Sequence, residues 1–178
     1  MLTIIYNRSL SESKIPNDWN IANVTTNFKK GKTCDAGNYR PVSLTSYVCK
    51  ILESIIKDSI INHINVNNLL NESQHRFISK RSCLTNLLQF IETVTDYVDQ
   101  GYPVDVIFLD LQKAFDKVPH GRLLLKVKAM GIGSLVVNWI ESWLSDRKRR
   151  VVINGKGSGW SEVSSEVPQG SILGLYYL

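Results

Sequence analysis

The run from Val104 to Leu109 constrains the fold more than any other stretch of this chain. It follows Gly101 and Pro103, is short, β-branched and apolar, and leads directly into a carboxylate, Asp110. Such a run reads as a buried strand. A buried strand needs cover on its faces, so the expected class is α/β to α+β, with helices packed on a small sheet.

Helical periodicity supplies the cover. Val48, Ile51, Leu52, Ile55, Ile56 and Ile60 recur at helical spacing and predict an amphipathic helix from about Ser46 to about Ile64. Leu84, Leu87, Leu88, Ile91 and Val94 predict a second, from Ser82 to roughly Val98. Pro119 sits where a first helical turn begins and Gly131 where that helix stops. Val136, Trp139, Ile140, Trp143 and Leu144 mark a further helix with a heavily apolar face. Arg150 to Ile153, the turn Asn154-Gly155 and Trp160 to Val163 read as a β-hairpin. Gln169 to Leu178 reads as the beginning of another helix.

Composition bounds the function classes. With 178 residues, 43% of them hydrophobic, the chain has enough apolar material for one domain with a core. The net charge of +5 permits a polyanionic partner without requiring one. Its basic residues cluster at Lys29, Lys30 and Lys32, at Lys80 and Arg81, and from Arg147 to Arg150. Each cluster alone reads as a solvated loop before it reads as a phosphate contact. Cys34, Cys49 and Cys83 are odd in number and far apart, which argues against a disulfide framework or a zinc site and for reduced thiols. His63, His75 and His120 share no metal-ligand spacing with them. Leu2 to Tyr6 is too short for a signal sequence, and no apolar run would span a bilayer. An intracellular, nuclear or cytoplasmic protein is expected, with no membrane role.

The chemistry concentrates in FLDLQKAFD, Phe108 to Asp116. A strand that delivers Asp110 to its C-terminal end holds that carboxylate rigidly, as nucleotidyl transfer on two magnesium ions requires. A strand-end aspartate that merely caps the next turn is the commoner arrangement, and Asp116 fits that role too. The neighbouring segments change the odds. In chain order stand IPNDWNIANV (15–24), FKKGK (28–32), GNYRPVSLTS (37–46), QHRFISKRSC (74–83), FLDLQKAFDKVPH (108–120), WLSDRKRRVVING (143–155) and VPQGSILG (167–174). This ordered set resembles the reverse transcriptases of non-LTR, LINE-type, jockey-like retrotransposons over nearly the whole chain.

The resemblance implies a right-hand polymerase fold of the α+β class. Fingers would occupy about residues 1–102 and an incomplete palm about residues 103–178, with a helical and hairpin insertion and no thumb. It implies RNA-directed DNA synthesis with magnesium, deoxynucleotides, an RNA template and a DNA primer. Asp110 falls on the catalytic, metal-binding aspartate and the carbonyl of Leu111 on the neighbouring ligand. Phe115 falls on the gate that crowds a ribose 2′-hydroxyl, although core packing explains an aromatic there equally well. Gln169 and Gly170 fall on the turn that approaches the incoming nucleotide, Arg81 on a phosphate contact, and Arg40 and Lys80 on the template side. Tyr39 and Trp19 read as core.

Several positions depart from the family pattern. A paired-aspartate motif follows the Pro-Gln-Gly block in the family, and no two aspartates are adjacent anywhere in this sequence. Arg76, Lys80 and Glu166 stand at positions where glycine is favoured, Ile78 replaces a basic residue, and Leu175 replaces a proline. The expectation is a truncated copy, inactive alone, with Met1 inside a parent reading frame. A nucleic-acid-binding remnant without chemistry is the alternative. So is a palm that does not fold stably, whose strand at Val104 to Leu109 loses its neighbours and exposes both edge and core.

Overall fold

The structure, a computed structural model, describes residues 1–69, 81–109, 118–163 and 165–173. Six α-helices appear among them: α1 (Leu2–Glu12), α2 (Asn17–Asn20), α3 (Tyr47–Val66), α4 (Cys83–Asp99), α5 (His120–Ala129) and α6 (Ser134–Leu144). Five strands form one sheet: β1 (Ile21–Phe28), β2 (Tyr39–Leu44), β3 (Lys148–Ile153), β4 (Lys156–Gly157) and β5 (Ser161–Glu162). The order is β2-β1-β3-β4, with β5 also pairing β3. β1 runs antiparallel to β2 and parallel to β3, so residues far apart in sequence share a sheet.

The helices form where apolar spacing repeats. On α3, Cys49, Leu52, Ile56, Ile60 and Ile64 line one buried stripe. The same core takes in Leu123 and Val127 of α5 and the buried tryptophans of α6. Trp139 and Trp143, four residues apart, lie nearly parallel with centroids 6.4 Å apart. The Trp139 indole N–H donates to Ser9 Oγ at 3.0 Å, and the Tyr6 hydroxyl donates to the carbonyl of Val48 at 3.0 Å. These two bonds dock α1, which periodicity had not announced, onto α6 and the start of α3. Trp19 is buried beside Tyr6, as expected.

Four expectations need correction. Residues 102–109 carry no regular secondary structure, and Ile107, Phe108 and Leu109 are 81%, 84% and 87% exposed, so the buried strand is not there. A strand exists through ladder partners, and every described strand pairs only with other members of the sheet above. An apolar run with no edge beside it has nothing to hydrogen-bond to. The helix before it shares that condition: α4 has the predicted bounds and a Ser82–Thr85 capping box, yet buries none of its residues.

The second correction concerns the hairpin. The partner across Asn154-Gly155 is Lys156–Gly157, while Ser161–Glu162 pairs further back with Arg149 and Lys148. Third, the basic run is not a loop: Arg147 is 2% exposed, and Lys148, Arg149 and Arg150 belong to β3. Fourth, Tyr39 is not core. Its ring packs on Phe28 at 5.4 Å, and its hydroxyl donates to the carbonyl of exposed Thr33. Strands β1 and β2 were not predicted either, because their polar residues (Asn23, Thr25, Asn27, Arg40) alternate with too few apolar ones.

Candidate functional site

The Pro-Gln-Gly segment is the best-placed candidate. Val167 and Leu173 anchor it at 1% and 0% exposure, leaving Gln169 half-buried and Gly170 at the surface. The turn closes through the Ser171 N–H, which donates to the carbonyl of Pro168 at 3.0 Å. Gly170 has φ +124°, and a Cβ built there would lie 2.6 Å from the carbonyl oxygen of Ser43. Only glycine combines that backbone with so close an approach. The N–H of Ser43 in turn donates to the carbonyl of Gln169 at 2.8 Å. Ser43 belongs to the segment GNYRPVSLTS, so two motifs 126 residues apart meet in one turn.

The floor beneath the turn is charged. Glu53 on α3 is fully buried, and its Oε2 accepts from the main-chain N–H of Ile172 at 2.7 Å and of Leu173 at 3.5 Å. The Cys49 thiol donates to Oε1 at 3.4 Å. Burial, and then the carboxylate of Glu53, push the Cys49 thiol far above its ordinary value, so it stays protonated and unreactive. Arg147 supplies the balancing charge. Its Nη1 donates to the carbonyl of Trp143 at 3.0 Å and its guanidinium stacks 4.9 Å from that ring's centre. Burial lowers the Arg147 pKa, against the pull of Cys49, Glu53 and Glu166.

Glu166 opens the segment with φ +118°, a conformation that glycine adopts without strain. This is the position where a glycine was expected, and the backbone retains the glycine conformation under a different side chain. The carboxylate pairs with Arg149, and the Glu166 carbonyl bonds to His120 Nε2 at 2.8 Å. Its charge is therefore offset within the chain rather than turned on a ligand.

Not every candidate residue falls within view. Asp110, Leu111, Phe115 and Lys80 lie outside the described residues, as do Asp116, Arg76, Ile78 and residues 174–178, while the described half of the helix expected from Gln169 to Leu178 is a turn instead. Arg40 is exposed on β2, opposite Asn27. Arg81 is half-buried just ahead of the cap of α4. Among the described residues no group of three His, Cys, Asp or Glu side chains could hold a metal ion. A cleft of about 700 Å³ lies elsewhere, where α1 and α2 face the end of α6. Its lining mixes Lys14 and Lys148 with Glu141 and Asp146, and none of the turn's residues reach it.

Sequence reasoning passed over Ser43, Glu53 and Arg147. Glu53 carried a signal: it is an acid on the apolar stripe of α3, between Leu52 and Ile56.

The turn on β2 joins segments that share one known sequence pattern. The family described as "Reverse transcriptase (RNA-dependent DNA polymerase)" matches residues 28–177. The chain belongs to the reverse transcriptase family. It is 30% identical over 174 residues to the RNA-directed DNA polymerase from mobile element jockey of Drosophila melanogaster, covering 97% of this chain and 19% of that protein. It is 29% identical to the probable RNA-directed DNA polymerase from transposon BS of the same organism, with the same coverage. Over 180 residues it is 28% identical to the one from transposon X-element, covering 99% of this chain and 20% of that protein. These relatives of the reverse transcriptase are polymerases of non-LTR retrotransposons, and the chain spans about a fifth of their length. Among the described residues no helix is long and apolar enough to cross a membrane.

Proposed function

We propose that this reverse transcriptase segment is the fingers (about residues 1–102) and part of the palm (about 103–178) of a non-LTR retrotransposon polymerase. In the reaction, a primer 3′-hydroxyl attacks the α-phosphate of a deoxynucleotide opposite an RNA template. The new P–O bond forms as the bond to the leaving pyrophosphate breaks. Magnesium held by the Asp110 carboxylate and the Leu111 carbonyl would stabilise charge on the attacking and leaving oxygens. Phe115 would exclude a 2′-hydroxyl, and Gln169 and Gly170 would face the sugar of the incoming nucleotide. Arg81 would hold its phosphates, while Arg40 and Lys80 would touch the template.

One observation carries the reading. The bond between Ser43 and Gln169, which joins the segment containing Arg40 to the Pro-Gln-Gly turn, supports the reading. Both motifs must surround one nucleotide for the proposal to hold. Primer extension on an RNA template with magnesium and deoxynucleotides is the direct test. The 178 residues alone give no product, since one carboxylate and one carbonyl cannot hold two metal ions; robust product that depends on Asp110 would refute that expectation. Binding tests the remainder. Template–primer retains the complementary deoxynucleotide in preference to a non-complementary one, and Gln169→Ala removes the preference. No preference in the unaltered chain would sink the reading.

A second reading, a nucleic-acid-binding remnant without chemistry, draws on exposed Arg40, Lys148 and Lys156. It predicts salt-sensitive retention of template–primer that survives Asp110→Ala, with no choice among nucleotides.

A further inference from the structure

Among the buried residues of α3, Glu53 alone is charged. Nothing about packing calls for it, because Cys49, Leu52, Ile56 and Ile60 already fill the stripe with apolar volume. A desolvated carboxylate persists only where hydrogen bonds and a counter-charge offset the loss of water. Glu53 has both. Oε2 receives the main-chain N–H groups of Ile172 and Leu173, Oε1 receives the thiol of Cys49, and Arg147 lies near enough to be stabilised by the carboxylate.

We infer that Glu53 is a positioning residue for the Pro-Gln-Gly turn. The turn is tied at two points. Before Gly170, the carbonyl of Gln169 is held by the N–H of Ser43 on β2. After it, the N–H of Ile172 is held by Glu53 on α3. Two ties on different elements, three residues apart, set both the height and the tilt of the segment between them. Without the tie to Glu53 the turn would be held against β2 but not against α3, and the Gln169 side chain would shift with the tilt of the segment. A carboxylate suits the task, because charge-assisted bonds to main-chain N–H groups are shorter and stronger than neutral ones. The inference rests on the reading of Gln169 as a nucleotide-facing residue, since misplacement by about an ångström is enough to lose productive contact.

The test uses the full chain with two variants, Glu53→Gln and Glu53→Ala, and two readouts. The first is amide hydrogen exchange resolved to single residues, without ligand. Protection at Ile172 and Leu173 falls at least tenfold in Glu53→Ala and less in Glu53→Gln, while amides of α6 keep their rates. Equal protection at Ile172 and Leu173 in all three proteins overturns the tether, and so does an equal loss across α6. The second readout separates nucleotide from template. Glu53→Gln, which keeps the volume of the side chain, weakens retention of the complementary deoxynucleotide at least fivefold and leaves template–primer affinity within twofold. Loss of both together means a structural role only and overturns the inference. Should the unaltered chain retain no nucleotide, the polymerase reading fails, and the exchange rates at Ile172 and Leu173 still decide whether Glu53 holds the turn.

Discussion

The N–H of Ser43 donates to the carbonyl oxygen of Gln169 across 2.8 Å, and the serine's own carbonyl fills the space where a side chain on residue 170 would begin. One residue of β2 thus holds the turn and also forbids it a Cβ. Gly170→Ala meets both obstacles, a 2.6 Å clash and a φ of +124°. It should cost about 1–3 kcal/mol, read as a lower urea midpoint. Stability within a few tenths of a kcal/mol of the unaltered protein would mean that the turn does not press on β2.

Removing the buried cation should cost more. Arg147→Met leaves the fully buried Glu53 without the buried cation whose charge acts on it, and is expected to destabilise by about 3–5 kcal/mol. Replacing both, as Glu53→Leu with Arg147→Met, should recover much of that loss. Additive losses in the double variant, measured by chemical denaturation, would show that the two groups are not coupled.

Glu166→Gly runs the other way. It relieves a backbone held at φ +118° and gives up an ion pair whose arginine is 42% exposed. Strain of this kind is about 1–3 kcal/mol, and a pair whose arginine is screened by solvent while its glutamate is buried contributes on the order of 1 kcal/mol. The glycine variant should melt at the same temperature or higher. A clear drop would mean that Arg149 is held more tightly than its exposure suggests.

The thiols should separate by accessibility and by pH. Cys34 and Cys83 are exposed and Cys49 is buried, so a disulfide reagent near pH 8 should label two thiols quickly and the third only on unfolding. Burial raises the Cys49 pKa in the folded chain, so folding stability is fully present below the unfolded thiol's pKa of about 8.5. As pH climbs above that value the unfolded chain ionises first, and stability declines. Cys49→Ala should flatten that alkaline decline; an unchanged slope would assign it to other groups, such as Tyr6, whose pKa burial also raises.

The uncovered apolar surface should make the chain self-associate. Leu84, Leu87 and Leu88 on α4 are each more than half exposed, as are Ile107 and Phe108 beyond it. Light scattering should rise with concentration, and Ile107→Lys with Leu88→Lys should suppress the rise. A monodisperse unaltered chain at high concentration would contradict this.

Local pattern alone determined α3, α4, α5 and α6, because spacing along a helix is a property of neighbours three and four residues apart. The family was legible too, since ordered motifs such as NYRP and VPQG survive without any knowledge of how they pack. Tertiary structure decided the rest. Whether Val104 to Leu109 is a strand depends on an edge to pair with, and composition within the run carries no information about its partners. Arg147 looked like one more surface cation until the chain folded it under Glu166 and beside Trp143. The meeting of Ser43, Glu53 and the turn at Gln169 lies beyond any local reading, because hydrogen bonds spanning more than a hundred residues exist only once the sheet and the helices have closed around them.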